Sequence, residues 1–420
     1  MQKRILTRIC QGIAMAVHEK IYRKTNRYLL DIIWNMKVIT NTTDLETAVA
    51  TLKKSDFVTV DTEFIRETTF WPDLCLIQLA SPDIAVIVDP LSPDIDLKPF
   101  FSLMSDENVV KVFHAARQDL EIIYKIGHVI PKPLFDTQIV GSVCGFGESV
   151  SYEQIVQRVT GKPIDKTSRF TDWSHRPLSE KQLSYALADV TYLRDVYLYL
   201  KKQLAKTKRN DWIADEMAIL TSPATYDPPE DDAWKKVKGR IRKPKELAVL
   251  QKIAIWRERE AKSRNVPRGR VLKDECLIEI ATQQPKDVAT LGRLRSIPKG
   301  WERSEQANSL LTAINDGLAV DTSTLPPIQK YVPLSDGNAA AVELLRVLLK
   351  LVADEQNIAP RIIANSDDLE KIAKQEKNDQ IPAMQGWRYE LFGKKAKEML
   401  DGKLCFYFKD GNILTKEIDR

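Results

Sequence analysis

Five side chains in three stretches of the chain have the types and spacing to do chemistry together. Asp61 and Glu63 stand two apart in the apolar run Phe57-Val58-Thr59-Val60-Asp61-Thr62-Glu63-Phe64. As a strand, that run puts both carboxylates on one face, among apolar neighbours where charge is costly unless something positive satisfies it. Asp119 follows Val112-Phe113-His114-Ala115-Ala116-Arg117-Gln118, where a strand pattern gives way to a helical one. Tyr185 and Asp189 lie four apart in a helical segment, which brings phenol and carboxylate to one face, with small Ala186 and Ala188 between them. Singly, each fragment has an ordinary reading: a solvated strand edge, an acid facing a helix N-terminus, a surface pair. Together, four carboxylates from one strand and two helices suit Mg2+ or Mn2+ and not Zn2+. Two such ions roughly 3.5–4 Å apart could clamp the attacking and leaving oxygens of a phosphodiester displacement, with Tyr185 orienting the attacking water.

The elements that must deliver these groups follow from periodicity. Residues 57–64, 74–80 and 84–88 read as strands with short connections, which predicts an antiparallel meander. A helix near 97–104, a strand at 109–113, a helix from about 116, and short helices at 137–144 and 152–159 follow. Leu183, Leu187, Val190 and Leu193 then mark a long helix over 178–204. This order predicts a mixed, five-stranded sheet flanked by helices. Residues 223–234 form a proline- and acid-rich linker and 321–331 a second one around Pro326-Pro327; helix dominates in between and beyond. Asn265-Val266-Pro267 and Asn357-Ile358-Ala359-Pro360 each follow an amphipathic helix, and Gly300-Trp301 and Gly386-Trp387 each precede another. Two related all-α domains, 235–320 and 332–420, are therefore expected after a first domain at 36–222.

Charge is partitioned along the chain. The whole carries 63 Lys+Arg against 58 Asp+Glu, net +5, but 36–234 is net −9 and 235–320 net +10. An acidic block that binds cations and a basic one that binds a polyanion account for this. Lys235, Lys236, Arg240, Arg242, Arg268 and Arg270 are the candidate phosphate-binding surface. Five cysteines without a C-x-x-C pair predict no disulfide partner and a reducing, cytoplasmic setting. No run approaches the ~18 apolar residues of a membrane span. Residues 1–35, net +5, read as a basic extension, and Met36 opens onto a strand-like stretch as a domain start would.

Asp61-Thr62-Glu63, the HAARQD stretch ending in Asp119, and Tyr185-x-x-x-Asp189 match in order the three motifs of the DEDD exonucleases, in the subclass with Tyr four before the last Asp. LCLIQLA (74–80), FDTQIV (135–140), DWSHRPLS (172–179) and GWRYELFG (386–393) make the chain resemble the bacterial ribonuclease D family. That resemblance implies a ribonuclease H-like exonuclease fold followed by two HRDC domains. It also implies 3′→5′ hydrolysis of RNA to nucleoside 5′-monophosphates, tRNA precursors being the expected substrates and the monomer the expected state. Asp61, Glu63, Asp119 and Asp189 would hold two divalent ions and Tyr185 the nucleophilic water. Phe64, His114, Gln118, Lys166, Trp173 and Arg176 are candidate substrate contacts, and Phe70, Trp71 and Arg169 are further ones. A DNA exonuclease of the same chemistry and an RNA-binding scaffold are the alternatives.

Overall fold

The computed structural model describes residues 38–165, 167, 171–328 and 334–418. The basic segment 1–35, the start at Met36, Lys166, Arg169 and the last positions of the second linker lie outside the described residues. In the first domain, β1 (Val38–Ile39) leads to α1 (Thr42–Leu52), capped by the Asn41 side chain. β2 (Phe57–Ile65), β3 (Asp73–Ala80) and β4 (Ala85–Val88) follow as the expected antiparallel meander. Then come α2 (Lys98–Met104), β5 (Val110–Phe113), α3 (Arg117–Gly127), β6 (Leu134–Asp136), α4 (Thr137–Val143), α5 (Tyr152–Thr160), α6 (Glu180–Thr207) and α7 (Ala214–Leu220).

Among the described residues the sheet has six strands, in the order β1-β4-β3-β2-β5-β6, where five were expected. The addition is β6, three residues long, which owes its existence to parallel pairing with β5; β1, two residues long, falls in the strand-like stretch expected after Met36 and pairs parallel with β4. The pattern along β2 explains its place in the middle. Val58 and Val60 point into the apolar cluster under α1–α3, while Thr59 faces α6 and donates to the Val190 carbonyl at 2.8 Å. Asp61 and Glu63, in step with Thr59, therefore also face α6.

The first helical block comprises α8 (Pro244–Ser263), α9 (Arg268–Val271), α10 (Asp274–Gln283), α11 (Val288–Leu291) and α12 (Gln306–Ala319). The preceding linker is not free chain: Ala233 is buried and Trp234 half-buried in this block's core. Phe70, from the β2–β3 connection, is buried in the same core.

The second block opens with α13 (Asp336–Gln356), α14 (Pro360–Ile363) and α15 (Ser366–Ala373), and a π-helical turn Tyr389–Gly393 runs into α16 (Lys394–Leu400). It is not all helical, because β7 (Leu404–Lys409) and β8 (Asn412–Glu417) close it with an antiparallel hairpin. Leu404-Cys405-Phe406-Tyr407-Phe408 and Ile413-Leu414-Thr415 flank Asp410-Gly411, and aromatic and β-branched runs about such a turn are a hairpin pattern. Its core is continuous with that under α4–α6: Val140, Leu193 and Tyr197 share one apolar cluster with Leu345, Phe392 and Leu404. Trp212 stacks on Trp387 at 4.6 Å and 11°, and the Ala359 N–H donates to the Ser142 carbonyl at 2.8 Å.

Candidate active site

The site forms where β2 outruns its neighbour. β5 pairs with β2 only over Phe57–Thr59, so the ladder stops short of Asp61. The chain leaves β5 through Ala115 at φ 61°, a left-handed turn uncommon outside glycine. That turn is held by Asp136, whose carboxylate accepts the N–H groups of Ala115 (3.1 Å) and Ala116 (2.8 Å) while capping α4 through Gln138 (2.8 Å). The turn starts α3 so that Asp119, in its first turn, meets the β2 edge, where its Oδ1 accepts from the Thr62 hydroxyl. Asp136 lies in the FDTQIV stretch, and reading the sequence for chemistry passes over it; an Asp directly before a helical run is the N-cap signal that points to it.

The long α6 brings the other side. Ser179 and Gln182 form a capping box that fixes its start. Tyr152 of α5 donates to the backbone carbonyls of Ala188 (3.0 Å) and Asp189 (2.6 Å), setting the turn that carries the last carboxylate. Asp61, Glu63 and Asp189 each place an oxygen within 4.8 Å of the others. Asp119 stands beside this cluster, close enough for its charge to act on Asp61. Burial first, then the charges of Asp119, Asp189 and Glu63, push the Asp61 carboxyl well above the usual carboxylate range. Burial likewise raises Asp119 to about 7, against the Thr62 hydrogen bond that lowers it. Mutually repelling carboxylates with hard oxygen donors fit a divalent cation, which is the positive charge the sequence demanded. Burial and the neighbouring Asp189, Glu63 and Asp61 charges raise the Tyr185 phenol, so it stays an O–H donor at neutral pH.

Behind the carboxylates lies a cavity of about 370 Å³, walled by Tyr152, Ile164 and Leu193 and edged by Gln138, Ser151 and Glu153, with Asp61, Tyr185 and Asp189 at one side. Its volume is in the range of small-ligand sites. The sequence singles out none of these wall residues as ligand contacts; Leu193 shows there only as part of the apolar stripe of the long helix.

The expected substrate contacts divide. His114 lines the cavity, but its Nε2 donates to the Val150 carbonyl (3.0 Å) and its Nδ1 pairs with the Thr137 hydroxyl (2.9 Å), so its polar atoms are already engaged. Phe64 is half-buried against the core beneath α1–α3. Gln118 opens onto a different cavity, between the first domain and the first helical block. Trp173 is 3% exposed and packs with Leu76, Ile87 and Leu187, so it cannot stack on a base. Arg176 is committed inward, bidentate to Asp89 at 2.7 Å and donating to the Cys75 and Trp173 carbonyls, so it braces the loop and does not offer itself to phosphate.

The basic surface divides as well. Lys236, Arg240, Arg242 and Arg270 are exposed. Lys235 pairs with Asp232 at 2.7 Å, and Arg268 is spent on buried Glu258 and on the Phe70 ring, 4.5 Å from its guanidinium. Cys75, Cys144, Cys276 and Cys405 are free thiols, and among the described residues no helix is long and apolar enough to cross a membrane.

A mixed sheet ending in clustered carboxylates, followed by a basic helical block, is the architecture of a 3′–5′ exonuclease with an HRDC domain. Family profiles agree: residues 36–205 match "3'-5' exonuclease" and 246–314 match "HRDC domain". The chain is 64% identical over 400 residues to ribonuclease D of Bartonella henselae, covering 95% of this chain and 98% of that one. It is 50% identical over 383 residues to ribonuclease D of Nitrobacter hamburgensis, covering 91% of this chain and 100% of that one. The crystal structure of Escherichia coli RNase D superposes with a TM-score of 0.76 at 26% identity, over 88% of this chain and 99% of that one. The chain belongs to the ribonuclease D family and is an exoribonuclease.

Proposed function

We propose that the site removes nucleotides one at a time from RNA 3′ ends, releasing nucleoside 5′-monophosphates, with structured RNA such as tRNA precursors as substrate. The juxtaposition of the Asp61–Glu63–Asp189 cluster with a cavity of about 370 Å³ carries this reading. The cavity takes the 3′-terminal nucleoside and leaves its phosphate at the carboxylates. Asp61, Glu63, Asp119 and Asp189 hold two divalent ions, Mg2+ or Mn2+, which supply charge neutralisation at the phosphodiester and lower the cost of generating the nucleophile. Tyr185, kept protonated, donates to the attacking water and aligns it with the leaving oxygen, the role of the tyrosine in the Tyr subclass. The E. coli relative is described as acting in structured RNA processing, which supports the choice of substrate.

The first helical block grips the RNA backbone through Lys236, Arg240, Arg242 and Arg270. The second block is a divergent HRDC domain. Its support is local: Val266 N–H bonds to the Ala261 carbonyl and Ile358 N–H to Ala353, both five residues back, after asparagines at φ 45° and 51°. Each is followed by a four-residue helix, α9 or α14.

The test pairs matched RNA and DNA oligonucleotides bearing 3′ overhangs with Mg2+, Mn2+ or EDTA. Stepwise shortening of RNA that EDTA abolishes is the expected result, with Asp61→Asn folded and inactive. Equal shortening of DNA moves the assignment to a sugar-blind exonuclease. Binding without shortening makes the protein an RNA-binding scaffold.

A further inference from the structure

The connection between β2 and β3, residues 66–72, starts three residues after Glu63 and is gripped from two sides. On one side, Arg66 is bidentate to Glu121 of α3 (2.7 and 3.2 Å), and Lys125 of α3 sits 4.0 Å over the Trp71 ring. On the other side, Asn265 of the first helical block places one atom, Oδ1, where it accepts both the Phe70 and the Trp71 backbone N–H, each at 3.1 Å. Phe70 is 8% exposed, inserted in the helical block's core beneath the Arg268 guanidinium. The strand that carries Asp61 and Glu63 and the helix that carries Asp119 are thus joined through one loop, and that loop ends in another domain.

We propose that Asn265 is a positioning residue for the catalytic carboxylates, so that the first helical block completes the hydrolytic site as well as holding RNA. The inference rests on the exoribonuclease reading only for its kinetic arm. Asn265 adopts φ 45°, a left-handed conformation that asparagine, aspartate and glycine accept. Glycine there keeps the chain path and removes the acceptor; aspartate keeps both. The helix end is therefore preserved while the grip on the loop is switched off or retained.

The experiment uses full-length protein and two readouts. The first is steady-state hydrolysis of an RNA trinucleotide, chosen to keep contact with the exposed basic surface to a minimum. For Asn265→Gly, kcat falls about 10-fold with KM within about twofold, since small misplacements of reacting groups cost that much or more. Asn265→Asp restores kcat to near the wild-type value. The second readout is Mn2+ binding by titration calorimetry without RNA, where Asn265→Gly weakens affinity about 10-fold, as loss of support behind metal ligands does, and Asn265→Asp does not. Wild-type kcat and Mn2+ affinity in Asn265→Gly overturn the proposal, and so does an effect confined to KM for long RNA. If the wild type shortens no RNA, the exoribonuclease reading falls while the Mn2+ titration still decides the role of Asn265.

Discussion

The indole of Trp173 packs 6.1 Å from the phenol ring of Tyr185, tilted 35°, and its Nε1 is buried without a hydrogen-bond partner among the described residues. A tryptophan that spends no polar bond at this depth contributes shape, and the shape it supports is the Tyr185 rotamer. Trp173→Leu is expected to lower kcat about 10-fold at nearly unchanged KM and to cost about 2–4 kcal/mol in urea unfolding. Trp173→Phe, which keeps a ring against Tyr185, should restore most of kcat. A change in KM alone would return Trp173 to substrate contact.

The carboxylate cluster makes stability depend on pH with a definite sign. Asp119 titrates near 7 in the folded protein and Asp61 is raised well above its ordinary value, so the native state holds protons that the unfolded chain has released. Between about pH 4 and 7 the folded state binds more protons than the unfolded one, and unfolding free energy falls as pH rises. In EDTA, wild type and Asp119→Asn should melt at similar temperatures at pH 4, whereas at pH 7.5 Asp119→Asn should melt higher. Saturating Mn2+ reverses the order at pH 7.5 by favouring the ionised carboxylates of the wild type.

Exposed and committed arginines should separate in salt titrations. Replacing both Arg242 and Arg270 by alanine should reduce the slope of log affinity against log salt by about 1.4, about 0.7 for each single-strand phosphate that is no longer neutralised. Arg268→Ala should instead cost about 1–3 kcal/mol of stability, because it strands buried Glu258. A reduced salt slope in folded Arg268→Ala would show that it also reaches phosphate.

The proposed catalytic quintet is legible in the sequence because its chemistry restricts residue type and its elements restrict spacing: period two for Asp61 and Glu63, four for Tyr185 and Asp189. The meander and the long helix are legible for the same reason. β6 is not, since three residues carry no period and only pairing with β5 makes them a strand. Trp173 and Arg176 look like substrate contacts in one dimension, an aromatic and a cation beside a catalytic helix. Only tertiary neighbours, the core around Leu76 and Leu187 and the carboxylate of Asp89, turn them inward. Asn265 is legible as a repeat marker after a helix, but its grip on the loop is not, because Trp71 is 194 residues away in sequence.

The apolar cluster shared by α4–α6 and the second helical block runs from Phe57 to Leu404. A chain growing from its N-terminus makes the proposed catalytic carboxylates early but cannot cover the outer faces of α4–α6 until Val342 to Leu404 have been synthesised. Nascent chains halted anywhere before Leu404 thus expose an unfinished core.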